Sequence, residues 1–126
     1  MKICLTSQGD SLESQLDPRF GRSAFFIFVD SETEEFEVIE NTQVQATGGA
    51  GIQAGMTIVE KGAKVLLTGN VGPNAYQTLQ AGGVEIFTGA SGSVKEVLKK
   101  YQQGAFKSTG EPNVESHFGL KKGGER

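Results

Sequence analysis

Apolar residues follow two rhythms along this chain, and the change between them predicts its architecture. The run "KICLTS", Lys2 to Ser7, is apolar and β-rich and ends in the polar turn material "QGDS", so it predicts a buried first strand. The next segment, "LESQLDPRFGRS", is a loop whose "DPRFG" core carries Pro and Gly punctuation. "AFFIFVD" (Ala24 to Asp30) predicts a second strand, "SETEE" a charged turn, and "FEVIEN" (Phe36 to Asn41) a third strand in which Phe36, Val38, Glu37 and Glu40 roughly alternate. The short link between strands two and three implies an antiparallel hairpin, because parallel partners need a crossover of about a dozen residues.

Beyond "TQVQATGG" the rhythm becomes helical. Ile52, Met56, Ile58 and Val59 recur at near-helical spacing, and Lys61 with Gly62 supplies a stop. "KVLLTG" (Lys64 to Gly69) has the continuous apolar character of a central strand covered on both faces. "NVGPNAYQTLQAGG" reads as a turn into a helix with Pro73 in its first turn and Gly82 and Gly83 at its exit. "VEIFTG" (Val84 to Gly89) is a fifth strand, and "SGSVKEVLKKYQQG" a last helix with Val94, Val97, Leu98 and Tyr101 on its apolar face. The order βββαβαβα predicts a three-layer α/β domain with a mixed sheet, spanning residues 1–103. Residues 104–126, rich in Gly, Ser, Lys and Glu, are expected to form a flexible tail.

Length and composition narrow the function. The 126 residues suit one domain, since independent cores usually need about 100 residues each. A formal net charge of −3 argues against an electrostatic nucleic-acid binder. The sequence has no apolar run of membrane-spanning length and its N-terminal apolar stretch is too short for a signal peptide, so a soluble cytoplasmic protein is expected. The sole cysteine, Cys4, excludes an internal disulfide. The sole histidine, His117, excludes a zinc site built from several Cys and His ligands.

Three loops are expected to share one opening beyond the carboxyl ends of the parallel strands. The first holds Asp17, Arg19, Phe20, Gly21 and Arg22; the second leads through Gly48, Gly49 and Gly51 into a helix N-terminus; the third carries Gly69, Asn70 and Gly72. Arginines offer planar donors to an anion, and a glycine-rich helix start offers backbone amides and the positive end of a dipole. Each feature has a plainer structural counterpart: Asp17 pairs with one arginine to form a clasp anchored by Phe20, and the glycines allow close packing. A Rossmann site is disfavoured, because the glycines sit well after the strand and no acidic residue ends "KVLLTG". Cys4 reads either as a small core residue or as a metal-binding thiolate. His117 reads either as a solvated residue or as an imidazole on an arm that folds over a ligand.

Catalysis finds little support. A lone histidine cannot supply a Ser-His-Asp or Cys-His set. The element order resembles that of ribonuclease H-like nucleases, whose two-metal chemistry needs strand carboxylates, yet "KICLTS" has none.

"DPRFGRSAFFIFVD", "GGAGI" and "VLLTGNVGPNAYQTLQAGGVEIF", in that order, resemble the dinitrogenase iron-molybdenum cofactor biosynthesis family, the NifX-like domains also found at the C-terminus of NifB and in NafY. The likeness runs from Met1 to about Tyr101. It implies a ribonuclease H-like three-layer α/β/α fold with a mixed five-stranded sheet. It also implies binding rather than turnover: a non-catalytic carrier or scaffold for an anionic metal-sulfur cluster of iron-sulfur, iron-molybdenum or molybdenum-copper type. Asp17, Arg19, Phe20, Gly21, Arg22, Gly49, Gly51, Gly69, Asn70 and Gly72 occupy the matching positions. Cluster donor and acceptor proteins are the implied partners of a monomer or weak homodimer. Cluster-carrying relatives place histidine or cysteine near the cluster, for which this chain offers only Cys4 and His117. A regulatory or protein-interaction module that binds a protein or a small organic anion is the alternative.

Overall fold

The computed structural model describes residues 1–42 and 49–106. The first three strands, β1 (Lys2–Ser7), β2 (Phe25–Asp30) and β3 (Phe36–Glu40), form an antiparallel meander. Helix α1 (Ala50–Glu60) then crosses to β4 (Ala63–Leu67), α2 (Pro73–Ala81) crosses to β5 (Glu85–Phe87), and α3 (Val94–Gln102) follows. β4 lies parallel to both β1 and β5, which gives a mixed sheet of order β3-β2-β1-β4-β5.

Alternation along the strands divides the core in two. Cys4, Phe26, Phe28, Leu66 and Ile86 meet Ala54 and Ile58 of α1 and Ala75, Tyr76 and Leu79 of α2 on one face. Ile3, Leu5, Ile27, Val29, Val65, Leu67 and Phe87 meet Val94 and Val97 of α3 on the other. The expected three-layer α/β/α arrangement is therefore observed.

Two details depart from the sequence expectation. In α1 the buried residues are Ala50, Ala54, Gly55 and Ile58, whereas Met56 is 45% exposed. Small residues face α2 because the helices approach closely: a Cβ on Gly55 would stand 3.0 Å from Thr78 Cγ2. In β3, Phe36 is 48% exposed, and the strand is the edge of the sheet. The stops behave as expected. Gly62 takes the left-handed φ of 88° and donates to Val59 O, and Gly82 caps α2.

Candidate functional site

The carboxyl ends of β1 and β4 open toward the three loops singled out in the sequence. Phe20 anchors the first loop: its ring is buried and lies 5.7 Å from that of Phe26. Gly21 then runs so close to α1 that an added Cβ would stand 2.9 Å from both Cα and N of Gly51. A Cβ on Gly51 would in turn meet Ala75 Cβ of α2 at 3.1 Å. The third loop joins through Arg19 and Asn70, where Phe20 N donates to Asn70 O at 3.3 Å and Asn70 Nδ2 to Pro18 O at 3.0 Å. Gly69 leaves no room for a side chain, since its Cβ would fall 2.7 Å from Pro18 Cα. Asp17, Arg19, Phe20, Gly21, Gly51, Gly69 and Asn70 are thus one packed unit, with Gly72 as the N-cap residue of α2.

The charges on this unit are arranged around Asp17. Its carboxylate is almost entirely buried and accepts from Arg19 N (3.0 Å), Arg19 Nε (3.2 Å), Arg19 Nη2 (3.4 Å) and Ala24 N (3.2 Å). The clasp reading of Asp17 is realised with Arg19. Arg19 is nevertheless 62% exposed along its side chain, and Arg22 is exposed on the same loop. At α1, Gly49 adopts a left-handed φ of 71° as N-cap with no side-chain cap. The helix therefore begins with a glycine that presents only backbone.

Of the remaining predicted residues, Gly48 and His117 lie outside the described residues, as does the tail beyond 106. Cys4 is wholly buried between the sheet and the α1–α2 layer, in the position of a small core residue, and desolvation pushes its thiol well above the ordinary cysteine range. Among the described residues, no group of three or more His, Cys, Asp and Glu side chains gathers where they could hold a metal ion. Among the described residues, the donors a ligand would meet at this end are guanidinium and backbone amide groups.

A second layer, invisible to the motif reading, holds the loops. Thr6 Oγ1 donates to Asp17 O at 2.6 Å and lies 2.8 Å from Thr68 Oγ1, and both threonines are fully buried. Asn41 Nδ2 donates to Gly21 O (3.1 Å) and Ser23 O (2.8 Å), while Ser23 Oγ accepts from Ser7 N (3.2 Å). The only sequence signal for this layer is hydroxyl and amide residues at strand ends, which also suit ordinary turns.

Comparison with known proteins places the arrangement. The family described as dinitrogenase iron-molybdenum cofactor matches residues 1–104. The apo form of the orange protein from Desulfovibrio gigas superposes with a TM-score of 0.87 at 38% identity, over 89% of this chain and 95% of that one. A candidate NifB protein from Thermotoga gives 0.76 at 34% identity, over 85% and 91%. An uncharacterized protein of Methanocaldococcus jannaschii is 30% identical over 107 residues, covering 82% of this chain and 87% of its own length. With a match that runs through all three loops and ends past the last helix, the chain belongs to the dinitrogenase iron-molybdenum cofactor family.

Proposed function

We propose that the protein is a small non-catalytic carrier or scaffold whose cargo is an anionic metal-sulfur cluster, of iron-sulfur, iron-molybdenum or molybdenum-copper type, passed between donor and acceptor proteins in the cytoplasm. The observation that carries this reading is the joining of the Asp17–Arg22 loop to the first turn of α1 and to Asn70, which sets two exposed arginines beside a glycine-capped helix start. Planar guanidinium donors and backbone amides suit a bulky anion whose charge is spread over several sulfur atoms. The cargo is then held by hydrogen bonds and charge around its rim. Such a hold lets a preformed cluster enter and leave without exchanging its own ligands.

The test is anaerobic purification with elemental analysis and visible absorption, with and without added iron, sulfide, molybdate and copper. A carrier takes up stoichiometric metal with a sulfide-to-metal charge-transfer band, and the Arg19→Ala/Arg22→Ala double variant loses both while its far-ultraviolet circular dichroism stays unchanged. A protein that remains colourless and metal-free in every condition overturns the reading and favours the protein-interaction module.

A further inference from the structure

Asp17 carries an inference that deepens the proposed function and rests on the cargo reading of this end of the sheet. Its backbone is tied to the end of β1 from both sides: Asp17 N donates to Thr6 O at 3.0 Å, and its carbonyl accepts from Thr6 Oγ1 at 2.6 Å. Two backbone amides then fix the plane of the carboxylate, Arg19 N reaching Oδ1 at 3.0 Å and Ala24 N reaching Oδ2 at 3.2 Å. With its side chain only 2% exposed, the carboxylate is shut off from a ligand in solution.

Arg19 lies against this fixed plane. Nε donates to Oδ1 at 3.2 Å and Nη2 to Oδ2 at 3.4 Å, the two parallel bonds of a fork on a carboxylate. The main chain of Arg19 is held as well, by its bridge to Asn70. A guanidinium carries five N–H donors in one rigid plane. Two of them go to Asp17. The other three, both on Nη1 and the second on Nη2, point away from the carboxylate and have no partner among the described residues.

Charge and geometry give opposite expectations for Asp17. Paired with Arg19 it cancels much of the guanidinium's charge, so a site that worked by charge alone would hold an anion better without it. A loose arginine, however, gives up rotamer freedom when it takes hold of a ligand. On Asp17, Arg19 has given up that freedom in advance.

We propose that Asp17 is the positioning residue of the cargo site: it touches no cargo and acts by locking Arg19, so that the guanidinium edge opposite the carboxylate, Nη1 with the outer N–H of Nη2, is the face a ligand meets. Arg19 then contributes directed donors rather than net charge, and the site selects an anion by where its acceptor atoms lie.

Two readouts test this on the full chain. In nitrogen-15 NMR of the unloaded protein, the Nε–H of Arg19, identified by its loss in Arg19→Lys, is expected to exchange with water more slowly than that of free arginine and to speed up in Asp17→Asn. The second readout is the dissociation constant of tetrathiotungstate, a diamagnetic sulfide-coordinated dianion. Asp17→Asn is expected to weaken binding about two- to tenfold although it makes the site more positive, the range set by re-immobilising one long side chain. In an Arg19→Gln background the same substitution is expected to weaken nothing, whereas a merely structural Asp17 would weaken both backgrounds alike. Arg19→Lys keeps the charge, lacks the fork and sits on an exposed side chain, so it reads the proposal even if Asp17→Asn fails to fold; it is expected to bind as weakly as Arg19→Gln. Tighter binding by Asp17→Asn, equal weakening in both backgrounds, undiminished binding by Arg19→Lys, or fast Arg19 exchange in the unloaded chain overturns the proposal. A native chain that does not bind tetrathiotungstate overturns it too, and metal uptake, measured separately, then shows whether the cargo reading falls with it.

Discussion

Thr68 donates its hydroxyl proton to Thr6. The contact between the two oxygens, 2.8 Å, is undirected by itself, but Thr6 Oγ1 also lies 2.6 Å from the carbonyl of Asp17, which can only accept. A hydroxyl has one proton to give. Thr6 spends it on Asp17, so Thr68 supplies the other, and a one-way chain runs from the end of β4 through the end of β1 to the loop that bears both arginines.

That direction predicts unequal losses. Thr6→Val removes both bonds and leaves the Asp17 carbonyl with only what else reaches it, at a cost of about 1–3 kcal/mol. Thr68→Val leaves Thr6 still bonded to Asp17 and costs less. Urea unfolding of both single variants and the double variant measures the difference. The double is expected to be less destabilised than the sum, because one interaction is counted twice.

Asp17 organises the loop by accepting from four donors within its own segment. Asp17→Ala strands the partly buried amide of Ala24 and is expected to destabilise the fold by about 1–3 kcal/mol. The amides of Arg19 and Ala24 should then exchange with deuterium faster than those of α3, which packs on the other face. Uniform acceleration across the whole chain would instead mark a general loss of stability.

The backbone contact of Gly21 with Gly51 makes a steric prediction. Gly21→Ala drives a methyl against main-chain atoms at 2.9 Å that cannot rotate away, and overpacking of this kind costs about 1–3 kcal/mol. Gly51→Ala meets the Ala75 methyl at 3.1 Å, where α2 can yield slightly, so its cost is smaller. Thermal unfolding of the two variants ranks them.

The capping box of α3 sets part of the acid response. Ser93 N donates to Glu96 Oε1 at 3.0 Å and Ser93 Oγ accepts from Glu96 N at 3.1 Å. The bonds from Ser93 hold the Glu96 carboxyl below its usual value of 4.5. A carboxyl lowered in the folded state stabilises above its unfolded value and loses that contribution as pH falls through the folded one. Glu37, lowered chiefly by its hydrogen bond from Lys61, acts in the same direction. Melting temperatures of the native chain and of Glu96→Gln are therefore expected to differ at pH 7 and to converge in acid.

All eight elements were legible in the sequence because each carries its own period and its own stop: Pro73 opens α2, Gly62 and Gly83 close α1 and α2, and the Phe25–Val29 run has the length of a strand. The meeting of the three loops was legible as well, since α/β connectivity brings strand ends together. What stayed hidden needs two distant segments at once. Thr6 and Thr68 look like turn residues until the parallel pairing of β1 and β4 sets them side by side. The buried face of α1 is only partly legible: of its apolar set Ile58 is buried and Met56 is exposed, whereas close approach to α2 selects Ala54 and Gly55. Hydrophobic spacing ranks residues by their affinity for water and carries no information on how near a neighbouring helix comes.

Cys4 has its own consequence for the handling of this protein. As the chain's only sulfhydryl, held in β1 beneath the α1–α2 layer, it is shielded from alkylating reagents, oxidants and soft metal ions while the sheet is closed. The folded molecule therefore has no reactive thiol to bind soft metal ions or to tie copies together in air. The same burial makes the residue an intrinsic clock of opening, since the rate at which a thiol reagent labels Cys4 counts the moments when α1 and α2 lift from the sheet.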